Sequence, residues 1–308
     1  MLKTILSVLP LILLFATGFL LQKLSFFKQS TIIDLKKIVT NLALPALLFS
    51  AFVSLEFEHK FLLVVVTMFV ICLVMLFIGI GIRKLLKIES EYFPLLMAGF
   101  EMGMLGYALF LSIYGSENLS TFALVDLGQV LFVFFVLMGL LIQKKTGLRK
   151  KSELLKSFVS SPVIIAIIAG LAISFLKQVI DPNIFFNSIN EFMNILGSLT
   201  VPLIALVIGY ELSIKKDGIL LSLQTIIIRK VLLAVLAIVV NLLIIRNVLE
   251  LPKIYEYAVF TMFMLPPPFV ISIYMKQEDR ANLNYVVNTL SLSTVVSVLA
   301  VILVSILY

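Results

Sequence analysis

Two stretches of this chain, 160 residues apart, read almost alike: 100–114 and 260–274. Seven of the 15 aligned positions are identical: Phe100/Phe260, Met102/Met262, Met104/Met264, Leu105/Leu265, Ser112/Ser272, Ile113/Ile273 and Tyr114/Tyr274. Each lies in a hydrophobic segment interrupted near its middle, by Gly99, Gly103 and Gly106 in the first and by Pro266, Pro267 and Pro268 in the second. Prolines supply no N–H and prevent regular helix. A broken helix leaves N–H and C=O groups unpaired, and lipid cannot satisfy them, so they must face protein or a wet cavity. Interrupted segments at matching places in two halves point to a transporter's binding site.

The rest of the chain fits that setting. Of 308 residues, 61% are hydrophobic and 13% charged, in runs too long for soluble helices. The net charge of +7 does not indicate nucleic acid, because the basic residues lie between hydrophobic runs and not on one face. Cys72 is the only cysteine, so no intrachain disulfide forms, and it reads as a small buried residue. His59, the only histidine, sits beside Lys60 in a polar loop, which excludes histidine-rich metal sites and the HExxH motif. No cofactor or metal is expected. The apolar run 5–21 is longer than a signal core and no Ala-x-Ala site follows it, so it reads as a retained first helix.

At about 20 residues per crossing, ten spans are expected: 5–24, 32–53, 61–82, 92–114, 120–142, 158–176, 190–212, 219–245, 254–274 and 283–307. With odd-numbered loops cytoplasmic, 19 of the 24 Lys and Arg fall inside, Arg229 and Lys230 among them. Lys3, Lys60, Lys177, Arg246 and Lys253 remain outside, and both termini face out. Five spans per half is an odd number, so two like halves joined by a cytoplasmic loop enter the membrane in opposite directions, as an inverted pair. The expected organisation is a first five-helix repeat over 1–142, a basic cytoplasmic linker over 143–157 and a second, inverted repeat over 158–308. The linker reads as a solvated loop placed to meet anionic headgroups.

Glu101 lies about nine residues into span four, roughly 13 Å deep at 1.5 Å per residue. A charge there costs about 2.5–3.5 kcal/mol, so it must face the interior, be paired or be protonated. It reads as a carboxyl that binds a proton or cation, or as half of an ion pair with Arg229 or Lys230. Asp126 in span five has Gln129 one turn on, on the same face, and reads as a substrate-binding carboxylate or as an interfacial one. Span ten is unusually polar, and Asn288 and Thr294 are its candidates for the cavity. Asn241 in span eight is a second candidate for ion coupling. Carbonyls freed before the prolines can accept from a cation or water, and half-helix N-termini aimed at the gap favour an anionic group without any buried Arg in either break.

Four passages together resemble the auxin efflux carrier family, the PIN-like permeases of the bile/arsenite/riboflavin transporter superfamily. They are Asn41-Leu-Ala-Leu-Pro-Ala-Leu-Leu-Phe49, Gly103-Met-Leu-Gly-Tyr-Ala-Leu109 ending at Tyr114-Gly115, Val201-Pro-Leu-Ile-Ala-Leu-Val-Ile-Gly209, and Pro266 to Tyr274 followed by Ser293-Thr-Val-Val-Ser297. Two residues depart from the family pattern: Ala108 stands where a crossover proline is usual, and Glu101 where an Asn is usual. The resemblance implies an all-helical fold in which spans four and nine unwind and cross at mid-membrane. It implies a mobile transport domain of spans three to five and eight to ten, and a scaffold of spans one, two, six and seven that pairs two copies into a homodimer. It also implies elevator-like transport of a small organic anion, a carboxylate such as malate or malonate or an auxin-like indole acid. Gly103, Gly106, Ala108, Asp126, Pro266, Pro267, Pro268, Asn288 and Thr294 are then the substrate-binding candidates.

No Gly-x-x-x-x-Gly-Lys-Ser/Thr loop occurs, so an ion gradient, H⁺ or Na⁺, is the expected energy source. An intramembrane enzyme would need paired Asp or Ser/His in the spans, and these are absent. A non-transporting sensor or channel of the same fold is the alternative reading.

Overall fold

The computed structural model describes residues 2–55, 58–147, 151–177, 184–275 and 279–308. Arg149, Lys150 and Lys276, counted above, lie outside them. Among the described residues 83% are helical and none lies in a strand. Among the described residues, seven helical stretches are long and apolar enough to cross a membrane: Leu6–Lys23, Phe61–Leu85, Phe93–Tyr114, Ser116–Thr146, Ser188–Glu211, Ile219–Val248 and Arg280–Leu307. Pro162–Leu176 is a shorter apolar helix. The expected span 32–53 lies in one continuous helix with a π-helical turn, whereas 254–274 is made of shorter pieces.

In chain order the helices are α1 (Leu2–Lys23), α2 (29–53, with a π-helical turn at Val39–Ala43) and α3 (Phe61–Leu85). Next come α4 (Phe93–Met97), α5 (102–114), α6 (Ser116–Thr146), α7 (Lys151–Val159), α8 (Pro162–Lys177), α9 (Ile184–Ser198) and α10 (Thr200–Glu211). The last four are α11 (Ile219–Val248), α12 (Lys253–Phe263), α13 (Val270–Ile273) and α14 (Arg280–Leu307). The linker is not a plain loop. Its first residues extend α6, which ends where Gly147 takes a left-handed conformation (φ +75°) and returns its N–H to Gln143 O at 2.8 Å. Its last residues form the amphipathic α7, and 148–150 are not described.

The chain divides into two compact units, each assembled from discontinuous pieces. One comprises Met1–Glu58, Gly103–Ala123 and Lys156–Leu212. Its helices approach closely because glycines leave room. A Cβ on Gly18 would lie 2.2 Å from the Leu206 carbonyl oxygen, and one on Gly209 would lie 2.1 Å from that of Phe15, so α1 and α10 touch backbone to backbone. Without a hydrophobic drive in lipid, such small-residue contacts are what hold helices together. Lys36 pairs with Glu211 at 2.6 Å, and Tyr210 Oη donates to Phe27 O at 2.6 Å.

The other unit comprises His59–Met102, Leu124–Leu155 and Ser213–Tyr308. Here α3 meets α6 through Gly128, whose Cβ would lie 2.1 Å from Val65 O. Helices α11 and α14 meet through Ser222, which donates to Tyr285 O at 3.1 Å, and through Thr225, which bonds Tyr285 Oη at 2.7 Å. Arg229 and Lys230 stand within α11; Arg229 has no exposed surface, and Lys230 is half-buried. They are interior residues, so they do not belong in the positive-inside count, and 19 − 2 leaves 17.

Candidate functional site

Both repeat-bearing segments are broken. The first helix, α4, starts with Pro94 in its first turn and stops at Met97. Ala98 is extended (φ −109°, ψ 152°), and Gly99 turns with φ +71°. A side chain at Gly99 would be strained by that φ, and its Cβ would stand 2.9 Å from Pro268 Cγ. The helix resumes at Met102 as a π turn running to Gly106. Gly103 and Gly106 therefore sit in the helix after the break; the interruption itself is 98–101. In the second segment α12 ends at Phe263, and the chain stays non-helical through the three prolines until α13. Shifted by 160 residues, the first break would fall at 258–261, so the two interruptions do not occupy equivalent positions in the repeat.

The two breaks meet within the second unit. Phe100 stacks on Phe263 with ring centres 5.3 Å apart and planes 6° apart. In an unbroken helix the Glu101 N–H would go to Met97 O and the Phe269 N–H to Leu265 O. Instead Glu101 N donates to Pro266 O at 2.9 Å, and Phe269 N donates to Glu101 Oε2 at 2.6 Å. The breaks thus exchange backbone partners, with the Glu101 carboxylate at the point where the chain turns back into helix.

The freed carbonyls go to two neighbouring cations on α11. Arg229 Nη1 donates to Leu96 O at 3.2 Å and also to Met97 O, while Nη2 donates to Gly99 O at 2.6 Å. Its guanidinium lies 5.1 Å from the Phe100 ring centre. Lys230 Nζ donates to Met264 O, to Leu265 O at 3.3 Å and to Ser297 Oγ at 2.8 Å. Three acceptors match the three donors of an ammonium. Each cation sits at the C-terminal end of a half-helix, where the aligned peptide dipoles favour positive charge by about 0.3–2 kcal/mol. Break and cation stabilise each other: an unpaired carbonyl in hydrocarbon costs several kcal/mol, and an unpaired central cation about 2.5–3.5.

A buried Arg at a break runs against the sequence expectation that neither break has one. The signal was present: two adjacent cations in the middle of a 30-residue apolar helix are functional by default. Nothing local in the sequence tells which backbone they reach.

Of the other candidates, the three prolines lie in the second break, which meets Glu101. Cys72 is fully buried in α3. Asp126 is buried and accepts from Gln129 Nε2 at 3.2 Å, one turn away on α6. Asn288 holds the loop before α11: its Nδ2 donates to Lys215 O at 2.9 Å and Asp217 O at 2.8 Å, and its Oδ1 accepts from Lys215 N at 2.6 Å. Thr294 bonds back to Leu290 O at 2.9 Å in its own helix. Asn241 donates to Glu256 O at 3.1 Å, in the first turn of α12, about two helical turns before the break. Ala108 is buried in α5, belongs to the other unit, and its carbonyl accepts from Ser112 Oγ at 2.7 Å.

Comparison with known proteins gives the family. The model of the membrane transport protein family matches residues 4–154, which hold the first break. A protein of Methanocaldococcus jannaschii named an uncharacterized transporter is 28% identical over 221 residues, 68% of each chain. An uncharacterized transporter of Methanothermobacter thermautotrophicus is 28% identical over 176 residues, 55% of this chain and 56% of its own. The chain belongs to the membrane transport protein family, the auxin efflux carriers whose motifs it carries, and is a multi-pass membrane transporter.

Proposed function

We propose that this transporter is a secondary active carrier that moves a small organic anion across the cytoplasmic membrane by an elevator motion, coupled to H⁺ or a cation. The anion is a carboxylate such as malate or malonate, or an indole acid. The ten expected spans form two inverted five-helix repeats with both termini outside, and two copies pair through the scaffold helices. The observation that carries this reading is the meeting of the two breaks. Among the three charged side chains there, Arg229 and Lys230 outnumber Glu101, leaving one positive charge in excess for an anion. The grouping of α1, α2 and α8–α10 in one unit, and of α3, α4 and α11–α14 in the other, supports a division into scaffold and moving part. Residues 103–123 fall with the scaffold-like unit, so on this reading the boundary runs through span four at the break.

Glu101 is the coupling group. Its carboxylate holds the Phe269 N–H through a charge-assisted bond, which weakens when the acid is protonated. Uptake of labelled malate, malonate and indole-3-acetate into proteoliposomes, measured across a pH series, tests this. Glu101→Gln should fold and retain some uptake but lose its pH or cation dependence. Unchanged dependence in that variant would refute the coupling role.

A further inference from the structure

We infer that Arg229 and Lys230 occupy the positions that a bound alkali cation would fill at the two breaks, so that Na⁺ is neither bound there nor the coupling ion. This rests on the transport reading above. Where discontinuous helices bind Na⁺, unwound carbonyls and half-helix C-terminal ends supply the ligands. Such hard cations require oxygen donors. In this chain five carbonyls at the half-helix ends, those of Leu96, Met97 and Gly99 at the first break and of Met264 and Leu265 at the second, each accept from a cationic side chain. A metal ion brought to them would displace a guanidinium or an ammonium and would then meet its positive charge at close range. The arrangement is a division of labour between adjacent residues of one helix. Successive helical positions differ by about 100° in direction, so Arg229 reaches the span-four break while Lys230 reaches the span-nine break. Lys230 also takes Ser297 of α14, which ties three elements to one charge.

The two cations are therefore positioning residues that also set ion specificity. Their specificity role has a readout that a merely structural role would not move: the response of the protein to Na⁺. Purified full-length protein is assayed for radiolabelled Na⁺ binding, and for thermal unfolding in Na⁺ against choline at constant ionic strength. Neither measurement needs a transport substrate, so failure here is separate from failure of the carrier reading. The wild-type chain should show no saturable Na⁺ binding and the same melting curve in both salts. Lys230→Met, which bares the Met264 and Leu265 carbonyls, should acquire a Na⁺-dependent rise in melting temperature; Lys230→Arg should not. Saturable Na⁺ binding by the wild type that Glu101→Gln removes would overturn the inference, whether or not any Lys230 variant folds. A folded Lys230→Met indifferent to Na⁺ would overturn it equally.

Discussion

At the scale of single residues, Gly99 carries the heaviest constraint. Its φ of +71° excludes an ordinary side chain, and Pro268 leaves no space for one. The left-handed conformation alone costs an L-residue about 1–2 kcal/mol, and the proline ring cannot swing aside as a flexible side chain could. Gly99→Ala should therefore lower stability by about 1–3 kcal/mol, read as a fall of several degrees in the melting temperature of the purified protein. Gly81 provides the control. It is a helical glycine in α3 with nothing within 4 Å of its would-be Cβ, so alanine there should be neutral or stabilising by about 0.4–1 kcal/mol. Equal losses at both positions would mean that the tight turn at Gly99 is not what the break depends on. Asn288 and Thr294 show the limit of reading polarity alone. Both were legible as unusual residues in an apolar span, yet one holds the 215–217 loop and the other bonds its own helix. A side-chain amide that satisfies a loop and one that lines a cavity look the same in sequence.

At the scale of elements, glycines and prolines marked the two interruptions, and their chemistry explains why. The three prolines cannot donate and push their predecessors toward extended backbone, so the second break lies where they are. The first break was placed less well. Gly103 and Gly106 permit close approach but do not forbid helix, and the π turn of 102–106 absorbs both. The roles of Arg229 and Lys230 were hidden for another reason. They act on backbone about 130 and 35 residues away in sequence, and no periodicity encodes such a pairing. Close helix packing, by contrast, can be tested one glycine at a time. Gly209→Val would drive a side chain into the Phe15 carbonyl and force α1 from α10. Overpacking of this kind costs typically about 1–3 kcal/mol. The measurement is thermal unfolding in detergent, and a melting curve unchanged from wild type would contradict the backbone contact between the two helices.

At the scale of the whole molecule, the sequence made class and family plain, because long apolar runs separated by basic loops leave few alternatives. Pairing of Arg229 and Lys230 with the breaks removes two charges from that count without reversing it, and the sequence balance still favours cytoplasmic odd-numbered loops. On the proposed reading the paired breaks form a site that moves a bound anion between the two sides and is never open to both. Counterflow tests it most directly. Proteoliposomes containing the full-length protein are loaded with unlabelled malate or malonate and then given a trace of the same labelled acid outside. A carrier should accumulate label transiently above the passive equilibrium level, because internal substrate returns the loaded site to the outside. Flux that runs only downhill, with no overshoot and no acceleration by internal substrate, would mean that the breaks line a channel and that the carrier account is wrong.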